Sequence, residues 1–91
     1  MVNLITYDLK QPGRDYATLY EGIKSDGSWA HPVESVWLLD TTRNPGEIRD
    51  YLKQFVDSND ILFVIQLHQN WGSNNLLEKI VEWLKSSTRS W

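Results

Sequence analysis

Residues 2 to 8 alternate. Val2, Leu4 and Thr6 fall on one side, and Asn3, Ile5 and Tyr7 on the other. Apolar side chains on both faces predict a central β-strand, ended by Asp8 and the breaker-rich stretch from Leu9 to Gly13. The pattern then changes period. Tyr16, Leu19, Tyr20 and Ile23 share one helical stripe. Asp15 is placed to cap that helix, and Gly27 to close it in a left-handed conformation. In residues 28 to 41, Pro32 cannot donate to a ladder, so the first half reads as a short or irregular edge strand and Ser35 to Thr41 as a regular one. Two strands are expected here.

Asn44-Pro45-Gly46-Glu47 starts a second helix, with proline at its first position and Ile48, Leu52, Phe55 and Val56 facing the core. It should stop at Asp57-Ser58-Asn59. Asp60 to Leu67 is apolar almost throughout, as expected of a strand covered or partnered on both sides. His68 to Ser73 reads as a loop. Asn74 or Asn75 then caps a last helix carrying Leu76, Leu77, Ile80, Trp83 and Leu84, and the tail from Ser86 to Trp91 is expected to fray.

The element order is therefore strand, helix, two strands, helix, strand and an added C-terminal helix. This predicts an α+β fold of the ferredoxin-like split βαβ type (βαββαβ) with an extra helix. Should the middle segment form only one strand, a small parallel doubly wound sheet is the rival.

Composition narrows the function classes. The 91 residues suffice for one domain, residues 1 to 91, and 41% hydrophobic residues suit a folded core. No apolar run approaches the roughly 18 residues of a membrane span and no signal-like start is evident, so a cytoplasmic protein is expected. Cysteine is absent, which removes thiolate metal sites and thiol nucleophiles. The net charge is −3 and the nine Lys and Arg residues are scattered, which argues against strong nonspecific binding of nucleic acid but leaves room for a local groove between two subunits.

Asp8 is the leading candidate for chemistry, because a strand end can hold a carboxylate rigidly at a surface opening; the alternative is a strand-end acid bonded to its own turn. Asp40 and Asp60 read more simply as turn or strand-end acids. His31 can act as a general base or meet a phosphate. Ser35 lacks an adjacent base or elbow glycines and is a poor nucleophile. Lys10 and Arg14, in the loop after Asp8, are candidate phosphate contacts. Of the five tryptophans, Trp29 and Trp37 can stack on bases if exposed, against the competing role of core or interface packing.

Tyr7-Asp8-Leu9, Pro12-Gly13, Asp15-Tyr16, Gly27-Ser28-Trp29, His31, Ser35, Trp37-Leu38-Leu39 and Asp60 with the strand after it resemble SinR-like proteins. Those are distant relatives of the second CRISPR-associated (Cas) family and of virulence-associated protein D. The resemblance covers about residues 2 to 67 as a scattered pattern. It implies a ferredoxin-like homodimer, with nuclease activity in some members and an architectural role in others. Asp8 matches the family's metal-binding carboxylate, and Ser35 its serine before the aromatic of the third strand. His31 stands about where the CRISPR-associated proteins often have arginine, and residues 74 to 85 look helical where those proteins carry a short strand.

The implied activity is metal-dependent hydrolysis of RNA or DNA, with magnesium or manganese supplying an activated water and charge stabilisation. One carboxylate is a thin ligand set, but in a two-fold dimer two copies of Asp8 can share a cation. Two other expectations stay open: a catalytically silent dimeric scaffold for nucleic acid or a protein partner, and a toxin-like ribonuclease of a toxin and antitoxin pair.

Overall fold

The computed structural model describes residues 1–11, 13 and 15–91. Among the described residues, the chain forms β1 (Val2–Asp8), α1 (Ala17–Ser25), β2 (Ser28–Val33), β3 (Val36–Asp40), α2 (Pro45–Leu52), a 3-10 turn (Lys53–Phe55), β4 (Ile61–Gln66) and α3 (Glu78–Lys85). The strands lie in one sheet in the order β2-β3-β1-β4, with every neighbouring pair antiparallel. This is an α+β fold. The antiparallel pairs, with two strands in the middle segment, remove the parallel doubly wound alternative. Among the described residues no helix is long and apolar enough to cross a membrane.

Strand alternation sorts the core into two layers. Ile5 lies opposite Trp37 and Val64, and this face carries Leu19, Ile23, Ile48 and Leu52 from α1 and α2. Leu4 lies opposite Leu38 and Ile65 on the reverse face, where α3 covers Ala30 and Leu38 with Ile80 and Leu84. Directly opposite residues of an antiparallel pair share a face, so the pairs Asp8↔Ile61, Thr6↔Phe63 and Leu4↔Ile65 continue this reverse face towards β4. There α3 no longer covers it. Ile61, Phe63 and Ile65 are 53%, 54% and 45% exposed. The expected coverage on both sides of β4 is therefore met on one side only: Leu62 and Val64 pack on the helical core, and β4 is an edge strand.

Several local expectations shift. Asp15 accepts from the Ala17 N–H at 2.9 Å, but the helix begins after Tyr16, whose ring is buried. Gly27 is not left-handed; it is required because a Cβ there would stand 2.2 Å from the Asp40 carbonyl oxygen. The second helix starts as expected. The Asn44 side chain accepts from the Glu47 N–H and Glu47 returns a bond to the Asn44 N–H, a reciprocal cap that satisfies two otherwise unpaired donors. The last helix starts later, at Glu78, because Asn75 takes a left-handed φ of 63° that ends any regular run before it.

The tail does not fray. The Arg89 guanidinium lies 4.2 Å from the Trp83 ring centroid and donates to Ser28 Oγ at 2.8 Å, and the Ser90 N–H donates to Asp40 Oδ2 at 2.9 Å. Trp91 packs on the reverse-face core.

Candidate functional site

Asp8 stands at the C-terminal end of β1 with its side chain 61% exposed, opposite Ile61 and on the reverse face of the sheet. Its Oδ2 is 2.5 Å from Lys10 Nζ. Lys10 is held there through its backbone, whose N–H donates to Asp60 Oδ1 at 2.7 Å. Asp60 also accepts from the Tyr16 hydroxyl and, at 2.7 Å, from the Asp57 N–H. One carboxylate thus ties the loop after β1, the start of α1 and the approach to β4, the turn role expected of it. Burial first, and then the Asp60 carboxylate it donates to, push the Tyr16 hydroxyl above its ordinary pKa. Asp60 points towards α1 and Asp8 away from it, so the two acids do not converge. Among the described residues no group of three or more His, Asp or Glu side chains gathers to hold a metal ion. A cation at Asp8 would complete its shell from water, substrate or a second chain.

His31 lies elsewhere. Its ring centroid is 3.8 Å from that of Trp37, on the helical face, and its Nδ1 is buried without a hydrogen-bond partner among the described residues. β3 separates β2 from β1, so the imidazole is displaced by two strand spacings, roughly 10 Å, from the strand carrying Asp8 and lies on the opposite face. The two predicted catalytic side chains are not brought into one site.

The structure instead groups His31 with Trp29. The Trp29 ring, in a residue 41% exposed, lies 5.5 Å from Trp37, and Lys24 Nζ stands 5.1 Å from the Trp29 centroid. Tyr20 stacks on Trp37 at 6.0 Å, and Trp37 Nε1–H donates to the Tyr7 hydroxyl at 3.0 Å, which in turn donates to the Glu34 carbonyl. Burial raises the Tyr7 pKa, against the opposing effect of the Trp37 donor. Trp37 is itself buried and serves as the wall behind Trp29 and His31, not as a base-stacking surface. Ser35 sits exposed in the β2–β3 turn, and Arg14 lies outside the described residues.

Lys24 and Lys79 were not singled out from the sequence, and Trp83 was read there as packing in the stripe of the last helix. A signal existed: Lys24 lies one helical turn beyond Tyr20, and Trp83 one turn beyond Lys79, so each cation shares a face with an aromatic residue. What the sequence lacks is the long-range pairing that brings α1 and α3 to the same edge strand.

No family model matches the chain, and no solved structure matches it.

Proposed function

We propose that the chain is a homodimeric, metal-dependent nuclease of the SinR-like and CRISPR-associated type, built on a ferredoxin-like split βαβ unit and acting on RNA or DNA in the cytoplasm. The observation that carries this reading is the shared face of Asp8 and the uncovered stripe Ile61, Phe63 and Ile65. A second copy covering the stripe would set both Asp8 carboxylates at the rim of a two-fold interface. Apart, each is engaged, among the described residues, by an exposed lysine, an ion pair worth little in water, so a divalent cation can compete for it. The carboxylate oxygens suit magnesium or manganese, which tolerate few protein ligands when water and phosphate fill the rest. Such an ion supplies an activated water and neutralises charge on the phosphate. Lys10 is placed to meet a phosphate once released from Asp8.

The test is cleavage of RNA and DNA with magnesium or manganese. Asp8→Ala should abolish turnover while leaving the oligomer intact, and activity surviving that substitution rejects the assignment. A second reading, a dimeric scaffold that binds nucleic acid or a protein partner without cleaving it, is favoured by the separation of His31 from Asp8. It predicts the same dimer with no turnover under any metal.

A further inference from the structure

We infer that the outer edge of β2 is a slot for an unpaired base of single-stranded nucleic acid, with Trp29 as the stacking surface and Lys24 and Lys79 as partners of the flanking phosphates. A cavity of about 250 Å³ opens there, lined by Trp29, Ala30, His31, Lys79, Ile80 and Trp83. At this edge Trp29 and His31 come from the helical side of β2 and Lys79 and Trp83 from α3 on the reverse side, which sets a π surface for a base next to a positive charge for the neighbouring phosphate. The rings are fixed before any ligand arrives. Trp37 is buried behind Trp29 and His31, Tyr20 stacks on Trp37, and Trp83 is held by its Nε1–H bond to Ser28 Oγ at 3.0 Å. A preorganised surface loses little conformational entropy on stacking.

Lys24 Nζ, from α1, stands 5.1 Å from the Trp29 centroid, and Lys79, from α3, lines the cavity itself. Single strands are favoured over duplexes because bases in a duplex keep their faces stacked on each other and out of reach of an indole on a sheet edge. The charge here is local, in a chain of net charge −3, so binding should be modest and sensitive to salt. Nucleic acid as the ligand class rests on the nuclease reading; the slot does not, because Asp8 stands on β1, separated from β2 by β3.

The experiment is fluorescence anisotropy with a labelled oligouridylate about twelve nucleotides long, within the span of single-strand sites. At low salt, with divalent cations chelated so that no cleavage can occur, the full chain should bind. Trp29→Ala should weaken binding about tenfold or more, the loss expected for one stacked base. Lys79→Glu alters an exposed helix position that the core does not use, and should weaken binding and flatten its salt dependence. An unaltered affinity in both variants, absence of binding by the full chain, or equal competition by a duplex of the same length overturns the slot. Binding that depends on Trp29 together with cleavage that survives Asp8→Ala would sink the nuclease assignment and leave the slot standing.

Discussion

The two edges of the sheet are built differently. β4 is Ile-Leu-Phe-Val-Ile-Gln, with no charge and no proline, and presents Ile61, Phe63 and Ile65 to solvent. β2 is Ser-Trp-Ala-His-Pro-Val, its pairing with β3 shifts register between Ala30 and Val33, and α3 lies against it. Proline and a register break both obstruct the addition of a further strand, and a flat apolar edge invites it. On the reading proposed above, a second copy would meet the chain along the β4 side, beside Asp8, while the aromatics and lysines of the inferred base slot lie on the β2 side. The protein separates its sticky edge from its polar one by the full width of the sheet.

The largest expected effect breaks the β4 side. Phe63→Lys puts a charge at the centre of the exposed stripe and should weaken dimerisation by about 2–4 kcal/mol, the range of a central interface residue, or roughly 30- to 1000-fold in the dimer Kd. Sedimentation equilibrium reads this directly. Because Phe63 is half exposed in the single chain, the circular dichroism spectrum should stay unchanged. A variant that remains as dimeric as the parent would place the interface elsewhere. Gly27→Ala attacks the entry to β2 instead. Its Cβ would meet the Asp40 carbonyl oxygen at 2.2 Å, a backbone contact that cannot swing away, and urea denaturation should show a loss of about 2–3 kcal/mol. A loss under 1 kcal/mol would mean that β2 shifts freely against β3.

The contrast between the edges was only half legible in the sequence. Pro32 marked the irregular strand, because a missing N–H is a local property that needs no tertiary information. The reciprocal cap at Asn44 and Glu47 and the alternation that sets Asp8 at a strand tip are local in the same sense. The exposure of β4 was not legible: an apolar run states that a strand can be covered on both sides, and whether α3 extends far enough to cover the second side depends on where the loop from residue 67 to 77 leads. Ser86 to Trp91 reads as a polar tail until Trp83, Ser28 and Asp40, all distant in sequence from one another, converge on Arg89 and Ser90. The aromatic slot is of the same kind. Trp29 and His31 were visible as residue types, but their shared wall, Trp37, comes from the neighbouring strand.

That tail bond gives a smaller test of how firmly the β2 side is held. Arg89→Ala removes a guanidinium stacked on Trp83 and its bond to Ser28 Oγ, and should cost about 1–2 kcal/mol by urea denaturation. The Nε of Arg89 is buried without a partner among the described residues, which offsets part of what the stack contributes. Arg89→Lys should recover only part of the loss, since an ammonium lacks the planar face and the second donor. Full recovery would show that charge near Asp40, and not the stack, fixes the tail.

The smallest effect is a pH dependence at the turn that feeds β2. Burial raises the Asp26 pKa above 3.8, against the lowering influence of Arg43, whose Nε stands 3.0 Å from Oδ1, and Oδ2 is buried without a partner among the described residues. A carboxyl with a higher pKa in the folded than in the unfolded chain binds its proton more readily when folded. Its contribution to stability is thus most favourable below about pH 4 and declines as pH rises from there through the raised folded value. Asp26→Asn is indifferent to this window. The stability of the parent relative to Asp26→Asn should therefore improve on acidification from neutral pH to pH 4, as read by parallel urea titrations. A difference that stays flat, or moves against the parent, would mean that the Arg43 pair outweighs burial and that this corner of β2 is held by charge.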